Sequence, residues 1–234
     1  MSIPGNAFLA LWHDIEPSAW VDYTEWHTRE HMPERLSIPG FTVGKRLVNH
    51  EVDRYRYGTI YAGDDLEVFR SPPYLERLNN PTPWSTSMQP AFRNFLRVAC
   101  ERLVSRGAGD GGAMVTVRLD FAEGGSEESL RGNCADLADE ILKLEAVSGV
   151  HIGLSRDEVS GVRTRETELR LGMTEPGFDA VVLVEGSGKP ELEASLGKIE
   201  AAIARSACKL ANPKTIVYNL AYNLRNTDVK GAPS

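Results

Sequence analysis

The segments PGFTVGKR (39–46) and SGVHIGLS (148–155) stand 109 residues apart, and Gly40 and Gly44 of the first fall on Gly149 and Gly153 of the second. An echo at that spacing in a 234-residue chain points to an internal duplication, and it constrains the fold more than any other feature. The surrounding pattern repeats as well. In the first copy NAFLALWHDI (6–15) reads as a buried strand and PSAWVDYTEWHTREHM (17–32) as a helix with Ser18 as its cap. FTVGKRLV and YRYGTIYAG read as strands joined by the polar turn NHEVDR. A helical region from Leu66, interrupted by SPPY and NNPTPW, leads to the closing strand FLRVACERLV. The second copy runs AMVTVRLDF (strand), SEESLRGNCADLADEILKLEAV (helix, capped by Ser126), VHIGLSRD and FDAVVLVEG (strands), KPELEASLGKIEAAIARSA (helix) and TIVYNLAYNL (strand).

Each copy therefore spells β-α-β-β-α-β, the ferredoxin-like split motif, whose sheet carries both helices on one face and must cover the other. The expected fold class is α+β, with two ferredoxin-like repeats in one chain whose sheets pack face to face. This resembles the dimeric α/β barrel in an intramolecular form. The glycine-rich stretch RGAGDGG (106–112) marks the joint between repeats 1–107 and 108–234. Each repeat, at about 110 residues, is long enough to hold its own core.

Composition excludes some classes of function. A formal charge of −7, a sequence pI near 5.3 and the absence of a Lys/Arg run argue against nucleic-acid binding, which needs a basic stripe. Cys100, Cys134 and Cys208 are scattered, with no C-x-x-C pair, as expected of reduced, buried thiols in a cytoplasmic protein. The apolar stretch AFLALW is too short for a membrane span and lacks the basic residue that precedes a secretory signal. The expected partner is a small-molecule ligand, with the chain a monomer or homodimer.

Chemistry is concentrated in the first repeat. It holds all four tryptophans and four of the five histidines, and its net charge is −1 against −6 for the rest of the chain. Three- and four-residue steps put Trp20, Tyr23, His27 and His31 on one inward helical stripe, with Glu30 and Glu34 at its margin and Pro33 ending or kinking the helix near His31. The same string spells H-x-x-E-H, an inverted zinc-protease pattern, but no acidic helix segment offers a third ligand and the expected metal complement is none. The alternatives are half-buried histidines satisfied by hydrogen bonds and an acid/base site. In the latter His27 or His31, oriented by Glu30, moves protons, and Arg35 or Arg46 holds an anionic oxygen.

Alternation in YRYGTIY puts Tyr55, Tyr57, Thr59 and Tyr61 on one strand face, as a cavity lining or an aromatic ladder. Along FLALWHDI, Trp12 and Asp14 share a face and His13 takes the other, so that Asp14 is either at the strand's end or a pocket group. Trp84, in the rigid loop NNPTPWSTSM, is a plug or a lid, and His50 is a solvated turn residue.

WHTREHMPERLSIPGF, the KR of the following strand and SPPYLERLNNPTPWSTSMQPAFRN resemble an EthD-like family of the dimeric α/β-barrel superfamily. The resemblance covers residues 6–100, and the second repeat follows it only in fold plan. It implies a pocket between sheet and helices or inside the barrel, built from His27, Glu30, His31, Glu34, Arg35, Arg46 and Trp84; the strand and helix spacing adds Trp12, Asp14, Tyr23 and Tyr61 as candidate lining. It brings no specific reaction, since relatives of that fold range from cofactor-independent monooxygenases, isomerases and cyclases to haem proteins. The leading expectation is a cofactor-independent enzyme with His27, His31 and Glu30 as the acid/base group, acting on a small aromatic, lactone or polyketide-like compound. Its rival is a non-catalytic ligand-binding or accessory protein; haem binding and zinc hydrolysis stand behind both.

Overall fold

The computed structural model describes residues 2–160, 164–169 and 176–229. The elements alternate as the duplicated pattern requires. The first repeat runs β1 (Ala7–Ile15), α1 (Trp20–Trp26), a π-helical turn (His27–His31), α2 (Met32–Leu36), β2 (Phe41–Val48), β3 (Tyr57–Gly63), α3 (Pro72–Asn79), α4 (Pro83–Met88) and β4 (Phe92–Gly107). The second runs β5 (Ala113–Phe121), α5 (Glu127–Leu142), β6 (Val147–Ser155), α6 (Asp157–Ser160), α7 (Arg165–Glu168), β7 (Ala180–Gly186), α8 (Lys189–Arg205) and β8 (Leu210–Arg225). The fold class is α+β, two ferredoxin-like repeats in one chain.

By contacts the chain forms two compact units whose boundaries fall inside β4 and β8. One comprises residues 4–99, 156–177 and 221–234; the other comprises 1–3, 100–155 and 178–220. In the former the hydrogen-bonded order is β4-β1-β3-β2, and in the latter β8-β5-β7-β6, the same arrangement of first, second, third and fourth strands. In the first unit β3 is central and antiparallel to both neighbours, with Leu9 opposite Tyr61 and Arg46 opposite Thr59. Leu9, Leu11, His13, Gly44, Arg46, Tyr57, Thr59 and Tyr61 share the helix-bearing face, because side chains alternate along each strand.

The other unit packs Leu130, Cys134, Leu137, Ala138 and Ile141 of α5 and Leu192, Ile199, Ala202 and Ile203 of α8 onto β5, β6 and β7. Ser126 caps α5 as its sequence suggests, accepting from the Ser129 amide. Its one histidine, His151, is buried among Ser105 (2.7 Å to Nδ1), Ser2 (3.0 Å to Nε2) and Glu185 (3.3 Å). Among the described residues no helix is long and apolar enough to cross a membrane.

Several local expectations are corrected. Ser18 caps nothing by its side chain. Trp20 points outward, half exposed, because the chain enters α1 through a 3₁₀ turn (Pro17–Ala19) that starts the helix only at residue 20. The helix is not continuous to Met32: over His27–His31 it widens to π geometry, the Met32 amide donating to the His27 carbonyl. Pro33 lacks an amide proton and its ring crowds the carbonyl four residues back, and a π turn immediately before it relieves that clash. Arg35, one four-residue step beyond His31, is buried with the stripe. β3 begins at Tyr57 rather than Tyr55, which takes a left-handed backbone at φ 60°. The joint starts at residue 108, since Arg106 and Gly107 still pair with β6.

Candidate active site

The face of β1 and β3 that carries Leu9, Leu11, His13, Thr59 and Tyr61 faces the π turn and α2, and between them lies a partly enclosed cavity of ≈ 50 Å³. His27, His31, Arg35 and Tyr61 line it as the sequence suggests. His13, Trp26, Tyr74, Gln89, Phe92, Phe95, Arg97, Thr164 and Glu166 complete the wall.

The two imidazoles of the π turn lie 5.5 Å apart, centroid to centroid, and the indole of Trp26 sits 4.3 Å from His31. His27 is the more deeply set: its Nε2 is 3.5 Å from the Tyr61 hydroxyl, and its Nδ1 is buried with no hydrogen-bond partner among the described residues. Burial holds its pKa well below the usual histidine value, with the positive charge of Arg46 as the next influence, so the ring is neutral at pH 7. Burial also raises the pKa of Tyr61, keeping its hydroxyl protonated as a donor. Behind the lining, Tyr23 lies with its hydroxyl 3.0 Å from His13 Nε2 and its ring 5.3 Å from that of His27.

Arg35 is buried at the other end. Burial alone lowers the pKa of a guanidinium, but Glu166, Tyr74 and Glu34 more than offset it and keep the group charged. Its Nη2 donates to Glu166 at 2.6 Å and its Nη1 to Glu34 at 3.0 Å, and its guanidinium stands over the Tyr74 ring. Glu34 is itself held above the usual carboxylate range by burial, against the pull of Arg35 and Arg77.

The remaining residues singled out in the sequence lie outside this cavity. Glu30 accepts from Thr82 (2.5 Å) and Ser85 (3.2 Å), which ties the π turn to the start of α4, and Ser85 in turn accepts from the Trp26 indole. Glu30 therefore does not orient the imidazoles. Trp12 is fully buried on the opposite face of β1. Asp14, also on that face, accepts from the Tyr55 and Arg56 amides and from Asn94, a loop clamp at the strand's end. The Trp84 indole donates to Asp22 at 3.0 Å and holds α4 to α1. Arg46 opens into a separate groove. Among the described residues no group of three or more His, Cys, Asp or Glu side chains is gathered as for a metal ion.

Much of the wall, Trp26, Tyr74, Gln89, Phe92, Phe95 and Arg97 included, is not foreseen from the sequence, and two parts of it bear on the chemistry. Alternation places His13 on the face opposite Trp12, but no local signal says which face of β1 meets the helices. Glu166 and Thr164 come from the segment after β6, whose short charged string RETE carries no motif; only tertiary contact brings it to Arg35.

No family model and no curated protein matches the chain. Solved structures do. An anthrone oxidase-like protein aligns over 100% of this chain and 99% of its own with a TM-score of 0.65 at 12% identity. A putative monooxygenase from Fusobacterium nucleatum aligns over 94% of this chain and 95% of its own, with a TM-score of 0.58 at 10% identity. A chlorite dismutase variant from Candidatus Nitrospira defluvii aligns over 92% and 91%, with a TM-score of 0.53 at 9% identity. At such identities the likeness shows the fold alone: the chain has the dimeric α/β-barrel fold in fused form, with a ferredoxin-like unit repeated in a single polypeptide.

Proposed function

We propose that the protein is a cofactor-independent enzyme that moves protons on a small aromatic, lactone or polyketide-like compound bound in the first unit's cavity, with His27 as the acid/base group. The observation that carries this reading is the buried Nδ1 of His27, a nitrogen of a neutral imidazole with no hydrogen-bond partner among the described residues, which accepts a proton in the tautomer that keeps the ring hydrogen on Nε2, toward Tyr61. A buried polar atom left without a hydrogen bond is costly and is found where a ligand completes it. A phenolic or enolic hydroxyl placed there would pass its proton to the imidazole, leaving the electron pair on oxygen. The Tyr61 hydroxyl supplies a donor for the anion that forms. His31 and Trp26 supply flat walls for a ring. The name of one structure with the same fold, an anthrone oxidase-like protein, supports an aromatic substrate.

A cavity of ≈ 50 Å³ holds a few waters, since one water needs roughly 10–15 Å³ by this measure. The substrates proposed are accordingly small, and side chains of the wall shift as a ring enters. The same size has no room for a tetrapyrrole, so no step is assigned to haem. A non-catalytic ligand-binding role is the second reading, and what favours it is that Arg35 is already balanced by two carboxylates.

The test is turnover of a panel of single-ring phenols, enol lactones and short polyketide-type ketones, followed by absorbance. It compares the wild type with His27→Gln, each shown to be folded by its thermal transition. Catalysis predicts loss of at least about a hundredfold in kcat for the variant, the usual scale for an acid/base group. Binding without turnover on the whole panel would establish the second reading instead.

A further inference from the structure

Arg46 differs from Arg35 in one respect that matters. Both are more than nine-tenths buried, yet among the described residues no carboxylate pairs with Arg46. Its Nη1 donates to the Thr24 carbonyl (3.2 Å) and the Thr28 hydroxyl (2.9 Å), and its guanidinium lies 5.5 Å from the centre of the Tyr222 ring. Neutral acceptors and a π face replace part of its hydration, but among the described residues the charge has no counterion. Burying a charge in that state is unfavourable unless an anion joins it.

The place where an anion can join it is open. Arg46 lines a groove of ≈ 350 Å³ together with Trp20, Val21, Val48, His50 and Tyr57, within the ~300–1,000 Å³ of ordinary small-molecule sites. Trp20 and Val21 are the large apolar side chains most exposed among the described residues, at 50% and 66%. The Trp20 and His50 rings stand 5.4 Å apart and those of His50 and Tyr57 5.8 Å apart, so three aromatic rings follow one another along the groove. The lining has one carboxylate, Glu25, and Arg29 already binds it at 2.5 Å.

We propose that this groove is a second binding site, separate from the histidine cavity, for a planar aromatic carboxylate whose ring packs on the exposed Trp20 indole and whose anionic group pairs with Arg46. Stacking on the exposed Trp20 indole supplies tolerance for different flat ligands, and the guanidinium supplies the requirement for negative charge. An anion there also offsets the Arg46 charge, which stands next to burial among the influences depressing the His27 pKa. Occupancy of the groove thus raises the basicity of the imidazole in the neighbouring cavity.

Calorimetric titration of the full chain with 2-naphthoate tests the site, with 2-naphthamide as its uncharged isostere. One 2-naphthoate binds per chain, and the amide binds at least about tenfold more weakly, as loss of a charge-assisted contact requires. Trp20→Ala, at an exposed position that the fold does not need, weakens 2-naphthoate about tenfold, and Arg46→Met abolishes the preference for the anion. Should Arg46→Met fail to fold, Trp20→Ala and the amide decide the matter. Equal affinity for acid and amide, indifference to Trp20→Ala, loss of binding in His27→Gln, or no binding up to the solubility of 2-naphthoate would each overturn the proposal.

Discussion

Arg35 Nη2 and Glu166 Oε1 lie 2.6 Å apart although 131 residues separate them, and both side chains are at most 5% exposed. Removing one partner of such a pair strands a buried charge, which typically costs about 3–5 kcal/mol. Glu34 remains beside Arg35 in Glu166→Ala, so the expected loss falls below that range, at about 2–3 kcal/mol. Urea unfolding of the variant measures it. An unchanged midpoint and slope would mean that the pair contributes nothing in solution.

His27 makes stability depend on pH in a definite direction. Its folded pKa lies well below 6.5 through burial, whereas the unfolded chain binds a proton near 6.5. Below that value the unfolded state therefore carries more protons than the folded one, and stability falls as pH falls from about 6.5 toward the folded pKa. Above it both states are neutral and the contribution is flat. Thermal midpoints between about pH 7.5 and 4.5, a range set by the usual histidine pKa, should decline less steeply for His27→Gln than for the wild type. Parallel curves would show that the ring is not buried neutral.

Asp14 holds two left-handed backbone positions at once, one in the β2–β3 connection and one near the start of β4. It accepts from the Tyr55 and Arg56 amides at 2.9 and 2.8 Å and from Asn94 Nδ2 at 2.7 Å, and Tyr55 and Asn94 both have left-handed backbones at φ 60° and 50°. Asp14→Ala should cost about 2–3 kcal/mol, since hydrogen bonds to a charged acceptor are worth ~1.5–3 kcal/mol each and some are regained from water. Hydrogen exchange at the Tyr55 and Arg56 amides should accelerate in the same variant. Exchange that stays slow there would assign the turns to some other restraint.

Two glycines should respond with opposite signs to alanine. A Cβ at Gly44 would meet the Met32 methyl at 2.6 Å and the Tyr61 ring at 3.1 Å; the methyl can swing away, but the packed ring cannot, so Gly44→Ala is expected to lose about 1–3 kcal/mol. Gly132 is exposed within α5, where an added Cβ would meet nothing within 4 Å, and Gly132→Ala should gain roughly 0.5–1 kcal/mol from helix propensity. Differential scanning calorimetry on both variants checks the pair.

What was legible in the residues alone was the period. Alternation in FLALWHDI and YRYGTIY, helical spacing in SEESLRGNCADLADEIL, and the echo of PGFTVGKR in SGVHIGLS specify strands, helices and their duplication, because each signal is carried by neighbours in the chain. His27, His31, Arg35 and Tyr61 were legible for the same reason, since one helix turn and one strand face determine where they point. Tertiary structure decided the rest. Contact with α4 drew Glu30 away from the imidazoles, and the segment after β6 delivered Glu166 to Arg35. It also separated Arg46 from the cavity by laying Thr24 and Thr28 across its guanidinium. These outcomes depend on which distant groups compete for one charge or one hydrogen bond, and a competition between residues far apart in the chain leaves no periodic mark in either of their neighbourhoods.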